Sequence, residues 1–281
     1  MPLSIAQITT LACLLEATAS KPGNVHRGAD FDDVTFGDFA ISAVAIGPAM
    51  EQAADRGVGA TILSAVQATR ALVPSNTNLG IVLLLAPLAA VPREVALRDG
   101  VVHVLQSLTA DDSAAVYQAI ALAKPGGLGE SREHDVSGPP PASLLEAMQL
   151  AADRDAIARQ YVTNFNTVFE QVVVELLAGV SQGWTALDSI VHTHVSLLAT
   201  SGDTLIARKC GQAVSDEAAA YARQVLSAGR PGEESYYEAL ADLDFWLRLD
   251  GHRRNPGTTA DLIAAGLFVA LREGQLAPPW N

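Results

Sequence analysis

The segment HRRNPGTTADLIAAGLFVALREG, residues 252–274, joins a polar cluster to a run that is apolar on every helical face from Leu262 onward. A helix beginning there presents free backbone N–H groups and the positive end of its dipole, an anion site in waiting. Arg254, Asn255, Thr258 and Thr259 stand at that mouth, with Thr258 or Thr259 expected as N-cap after the Pro256-Gly257 turn. Asp261 falls in the first turn, where it complements the dipole or points at a bound cation. Three other stretches have comparable chemistry. In EATASKPGNVHRGADFDDVTF, residues 16–36, Asp30, Asp32 and Asp33 crowd within four positions and repel one another unless water or a cation separates them. Mg²⁺ suits such a place, taking one or two carboxylates with substrate phosphates and waters. Lys21 and Arg27 can hold the same phosphates, and Asn24 lies between them. A solvated acidic loop is the other reading of this stretch.

PSNTNLG, residues 74–80, puts Asn76 and Asn78 before a very apolar run, either as helix caps or as amide donors and acceptors for a base or ribose. SGDTLIARKCG, residues 201–211, has a cap at Asp203 or Thr204 and delivers Arg208 and Lys209 one turn later, a candidate anion site in a chain with few cations. Residues 125–141 form a long Gly/Pro loop, either a lid or an ordinary tethered loop. His192 and His194, two apart on a helix, point to opposite sides and cannot share a metal.

These loops need a scaffold, and the periodicity supplies only helices. Helical period runs through residues 4–18, 36–54, 61–72, 79–90, 93–108, 113–124, 142–183, 186–200, 215–227, 233–249 and 259–273, with a break in the long stretch near 153–155. Alternating β-branched runs are essentially missing. The expectation is an all-α bundle of about ten helices around a central buried helix pair, residues 1–281 forming a single domain. A net charge of −13 argues against nucleic acid and anionic membranes as partners. The longest apolar run, residues 81–91 with Pro87 inside, is too short to span a bilayer. Two cysteines give no disulfide framework, and no signal peptide is read, so a cytoplasmic protein is expected.

Taken in order, ASKPGNVHRGADFDDVTF, NTNLG, PGGLGE with a downstream Asp, GDTLIARKCG and NPGTTADLIAAGLFV cover most of the chain and resemble the triphosphoribosyl-dephospho-CoA synthases. The resemblance implies a transferase that joins the ribose of ATP to the 2′-hydroxyl of 3′-dephospho-CoA, with adenine leaving and the triphosphate retained. It also implies small-molecule nucleotide partners and Mg²⁺, leaving homo-oligomerisation open. Carried over by motif are Glu16, Lys21, Pro22, Gly23, Asp32, Gly80, Asn255, Pro256, Gly257, Ala260, Asp261 and Leu262. Asp32, Asp33 and Asp261 are then the expected catalytic carboxylates, and Glu16, Asp30 and Asp32 the expected metal ligands. Thr77-Asn78-Leu79-Gly80 stands where the family has Thr-His-Lys-Gly, and Gly28-Ala29-Asp30-Phe31-Asp32 where it has Gly-Ala-His-x-Asp. These departures resemble a divergent branch associated with methanopterin-type C1 metabolism. A related ribosyl or nucleotide transferase in C1-carrier biosynthesis and a non-catalytic nucleotide-binding helical protein are the alternative readings.

Overall fold

A computed structural model of the chain describes residues 2–125 and 138–278. The expected loop at 125–141 therefore lies mostly outside the described residues. What is described is all helix: α1 (Ile5–Thr18), α2 (Phe36–Glu51), α3 (Ala53–Arg56), α4 (Val58–Arg70), α5 (Leu79–Ala89), α6 (Leu97–Gln106), α7 (Ala110–Ala123), α8 (Leu144–Ala151), α9 (Ala156–Val162), a π-helical turn (Val168–Val172), α10 (Val173–Ser181), α11 (Ala186–Ser201), α12 (Thr204–Cys210), α13 (Gln212–Ala228), α14 (Glu234–Arg248) and α15 (Gly257–Arg272). Only two isolated bridges, His26 with Ala29 and Phe31 with Val34, occur among the described residues.

The expected central pair is α5 and α15, which pack on each other. Every residue of α5 except Gly80 is buried, as is every residue of α15 from 262 to 271. With no polar face to turn to water, both helices must be enclosed. Helices α1, α2 and α4 close one side, while α9, the π-helical turn, α10 and α11 close the other. The approach of α15 to the π-helical turn is tight: a Cβ on Gly266 would lie 2.3 Å from Val172 Cγ1. A second, smaller apolar cluster joins α11 to α12, α13 and α14 around Val195, Ala218, Val225, Leu243 and Trp246.

The helix count exceeds ten because the expected 36–54 and 142–183 helices are interrupted and the short helix expected after Asp203 or Thr204 adds α12. Gly57, at φ 82°, separates α3 from α4, and Gly211, at φ 96°, separates α12 from α13. The 142–183 stretch breaks at 152–155 as expected, then again at Asn164 and Phe165, both in the left-handed region. The helix expected from residue 93 begins only at Leu97. A turn closes from Val95 N–H to Pro92 O, and the Glu273 carboxylate accepts the Leu97 N–H.

His192 and His194 diverge as their spacing requires. His192 sits against the Trp184 and Tyr236 rings, whereas His194 is completely buried. Burial first, then the Lys21 charge, pushes His194 well below the usual imidazole value. The unfolded chain therefore binds this proton more readily than the folded one. His194 contributes stability that is present above about pH 6.5, its unfolded value, and lost as pH falls below it. Replacing His194 by Gln is expected to flatten the fall in melting temperature on acidification, which thermal melts across that range measure.

One residue ties the scaffold to the polar loops. Asp203 is 2% exposed and saturated with donors. Its Oδ1 accepts from the Leu205 and Ile206 N–H groups at 2.8 and 3.0 Å, capping α12. Its Oδ2 accepts from the Thr259 N–H at 2.7 Å and the Thr259 hydroxyl at 2.8 Å, satisfying the first turn of α15. This corrects the expectation that Thr258 or Thr259 is the N-cap of α15. The cap position is Pro256, and a carboxylate from another helix does the capping. Burial pushes the Asp203 pKa up while the four donors pull it back. Asp203→Ala removes both caps and orphans buried N–H groups, an expected loss of about 3 kcal/mol. Asp203→Asn keeps an acceptor for one helix only and is expected to fall between alanine and the native protein in a urea titration.

Candidate active site

The apolar helices hold the polar loops around one cavity of about 730 Å³. The loops meet there because α1, α5, α12 and α15 all end at it: Glu16 and Asn24 arrive from α1 and the loop beyond, Asn76 and Asn78 from the turn before α5. Arg208 and Lys209 come from α12, and Asn255, Thr258 and Asp261 from the start of α15. Asp33 reaches the cavity from the acidic loop.

Asp261 holds the centre of the polar end. It makes no hydrogen bond or ion pair with any described residue. Burial first, then the charges of Glu16, Asp203 and Asp155, push its carboxyl well above the usual carboxylate range. Its position depends on Gly80: a Cβ there would lie 2.0 Å from Asp261 Oδ2 and 2.7 Å from Ile157 Cδ1. Glycine is thus required by close approach. Gly80→Ala is expected to displace the carboxylate and lower kcat about a hundredfold, the cost of a misplacement near 1 Å. KM for a nucleotide held mainly by the α12 cations should change little, so steady-state kinetics checks the split.

The cations are placed on the cavity edge. Arg208 pairs with Asp155 at 2.9 Å and donates to Arg154 O at 3.4 Å. Lys209 has no hydrogen-bond partner among the described residues, and burial pushes its ammonium pKa down. An unpaired, partly desolvated ammonium beside a guanidinium is suited to phosphate oxygens. The asparagines are partly committed. Asn24 donates to Asn255 Oδ1 at 2.7 Å, Asn76 Oδ1 accepts the Leu79 N–H at 3.1 Å, and Asn78 donates to Thr69 at 3.1 Å. The amide nitrogens of Asn76 and Asn255 remain available to a ligand.

Other expected site residues are placed elsewhere. Lys21 is wholly buried under the cavity, 2.8 Å from Glu16 Oε1, and also donates to the Glu16 and Ala19 carbonyls. Arg27 is exposed and lies outside the cavity. Arg254 stacks 4.5 Å over Trp246 and donates to its carbonyl. Thr259 is spent on Asp203. The metal set Glu16, Asp30 and Asp32 is not brought together. Glu16 faces Lys21, Asp30 accepts the Phe36 N–H at 2.7 Å, and Asp32 lines an adjoining surface hollow with Asp30 and Arg248. Among the described residues no three His, Cys, Asp or Glu side chains gather to hold a metal.

Three cavity residues were not singled out from the sequence. His252, quoted only as the start of the segment before α15, lines the cavity with its Nδ1 3.0 Å from Asp33 Oδ1 and its ring edge-on to Phe31. Asp155 and Arg154 reach the cavity from the break between α8 and α9, which carries no local sign of a site.

The comparisons with known proteins agree with one another. The model of the CitG family, ATP:dephospho-CoA triphosphoribosyl transferase, matches residues 2–278. A crystal structure of an Archaeoglobus fulgidus protein, provisionally described as a triphosphoribosyl-dephospho-CoA synthase, superposes with a TM-score of 0.64 at 26% identity, covering 85% of this chain and 99% of that one. No curated protein matches the chain.

Proposed function

The chain belongs to the ATP:dephospho-CoA triphosphoribosyl transferase family and moves the triphosphoribosyl group of ATP to dephospho-CoA; from that premise we propose that the transfer takes place in the cavity between α5, α12 and α15, with Asp261 as its general acid. The observation that supports this most is the half-buried Asp261 carboxyl, set against Gly80 with the charges of Glu16, Asp203, Asp155 and Arg208 around it. A carboxyl held well above the usual carboxylate range is suited to protonating a poor leaving group such as adenine.

The step is a substitution at C1′ of ATP. The bond from C1′ to adenine N9 breaks, adenine takes the electron pair, and Asp261 gives the departing base its proton. The resulting carboxylate then faces the positive charge developing at C1′ and stabilises it. The bond that forms joins C1′ to the 2′-oxygen of dephospho-CoA. Its proton passes to His252 Nε2, the nitrogen left free because Asp33 engages Nδ1. Arg208 and Lys209 hold the triphosphate, which is never cleaved, and the Asn76 and Asn255 amides face base or ribose.

Mg²⁺ fits the donor chemistry of the polar end, where hard oxygen ligands lie beside the phosphate cations. Asp155, already against Arg208, is the residue that would hold it, in place of the expected Glu16, Asp30 and Asp32 set. Bound there, Mg²⁺ would neutralise triphosphate charge. A cytoplasmic location accords with two free cysteines. Among the described residues no helix is long and apolar enough to cross a membrane.

Incubating the protein with ATP, 3′-dephospho-CoA and Mg²⁺ tests this reading. Free adenine together with a product of the summed mass less adenine is expected, and a chelator should suppress both. Folded protein that releases no adenine from any mixture of the two substrates would overturn it.

A further inference from the structure

The cavity has two chemically distinct ends, and the reaction as placed above uses only the polar one. The other end is an apolar wall built from α7, α8 and α9, with Ile120, Leu144, Met148, Leu150 and Ile157 among its lining residues. It is not sealed. Leu150 on α8 lines the cavity yet is 51% exposed, and Ala121, which lines it from α7, is also exposed. At the rim stand two exposed cations, Lys124 and Arg154, neither with a carboxylate partner among the described residues. Lys124 is held in the left-handed conformation at φ 48° as the C-cap of α7.

A wall of aliphatic side chains open along one side suits a particular shape of ligand. A nucleobase buried there would leave its polar edge without amide partners, a cost of about 1–3 kcal/mol for each unpaired group. The free amides lie instead at the polar end, on Asn76 and Asn255. A long flexible chain can lay its methyl and methylene groups on the wall and turn its amides outward to water. The acceptor has such a chain, carried on a diphosphate that two rim cations would meet.

We infer that the wall of α7, α8 and α9 takes the pantetheine arm of the acceptor, its diphosphate against Lys124 and Arg154, and that this contact makes the protein prefer dephospho-CoA over an acceptor that ends at the diphosphate. The inference rests on the active-site reading above and adds to it a basis for acceptor choice. Ala121 and Leu150 are the residues that set it from the solvent side, where a charge can be introduced with little effect on the core.

The test uses the full chain, dephospho-CoA, and ADP as the acceptor lacking the arm. Calorimetric binding and kcat/KM at saturating ATP are both measured for native protein, Leu150→Glu and Ala121→Glu. Native protein is expected to favour dephospho-CoA by about tenfold or more, as apolar pockets commonly do for a few methylene groups. Each variant should lose most of that preference while its melting temperature stays near native. Three results overturn the inference: no preference in the native protein, a preference unchanged in both variants, or variants whose KM rises for ATP instead, which would place the donor's base on the wall. Binding separates this failure from that of the reading beneath it. Native protein that prefers dephospho-CoA but releases no adenine contradicts the reaction and leaves the arm's site standing; adenine release with no acceptor preference does the reverse.

Discussion

Asp261→Asn is expected to lower kcat about a thousandfold, the scale of a lost general acid, while the protein remains folded and is at least as stable as the native form. The two halves of this result have one cause. Asp261 is desolvated and faces the Glu16, Asp203 and Asp155 charges with no hydrogen bond or ion pair of its own among the described residues. That environment raises its proton affinity, which suits an acid and costs stability whenever the proton is lost. Because its folded pKa lies above the unfolded value, the folded state binds this proton more tightly. The stability tied to it is complete below the unfolded pKa of about 3.9 and is lost as pH rises through the folded value. Asparagine removes the ionisation at nearly equal volume, so the variant's advantage in melting temperature should grow with pH. In native protein kcat/KM should fall as pH rises through the raised Asp261 pKa, and that alkaline limb should vanish in the variant. An Asp261→Asn protein with native kcat would rule out the assigned acid.

Lys21→Met is expected to give the largest loss of stability. Lys21 is 0% exposed and Glu16 3%, so each charge has left water for the other. Removing the ammonium leaves a buried carboxylate unpaired, which costs about 3–5 kcal/mol. In a chain of this size that is a drop of roughly 10 °C in melting temperature. The double variant Glu16→Gln, Lys21→Met removes both charges and should recover most of the loss, since a neutral buried pair no longer carries an orphaned ion. A single variant that melts with the native protein would show the pair to be immaterial to the fold. Both residues were expected to touch substrate or metal. Their placement makes Lys21 a structural counter-charge, and leaves Glu16 as the neighbour whose charge helps keep Asp261 protonated.

How much of this the chain announces depends on the distance over which each signal acts. The α5 and α15 runs have no polar face, so their burial is a local property readable from the residues themselves. The polar loops at their N-termini were legible for the same reason, because Pro-Gly, Asn and Thr before an apolar run mark a helix start. What each loop residue does was not. Asp203 reads as the cap of a short helix, and only the packing of α12 on α15 gives its second oxygen to Thr259. Asp30 and Asp32 read as metal ligands by spacing, yet one is consumed by the Phe36 N–H and the other faces a different hollow. Arg254 reads as an anion ligand beside a helix mouth, and a tryptophan on α14 takes it away. The break at Asn164 and Phe165 has no glycine or proline to mark it.

The departure at residues 77–80 also becomes physical. Leu79 stands where the family pattern has a lysine, and it lies against the cavity together with Asn78. The cations beside the polar end of the cavity are Arg208 and Lys209 on α12, while Lys124 and Arg154 stand at its apolar rim. The charge proposed for the triphosphate is thus on α12, with the turn before α5 offering amides.

The central claim is that these loops present Asp261 to the base and ribose of ATP in this one cavity. The most direct measurement is a crystal structure of the protein with a non-hydrolysable, non-transferable ATP analogue and Mg²⁺. The triphosphate is expected on Arg208 and Lys209, with an Asp261 oxygen within hydrogen-bond reach, about 2.6–3.2 Å, of a purine nitrogen. An analogue bound outside the cavity, or bound in it with Asp261 facing only phosphate, would contradict the account.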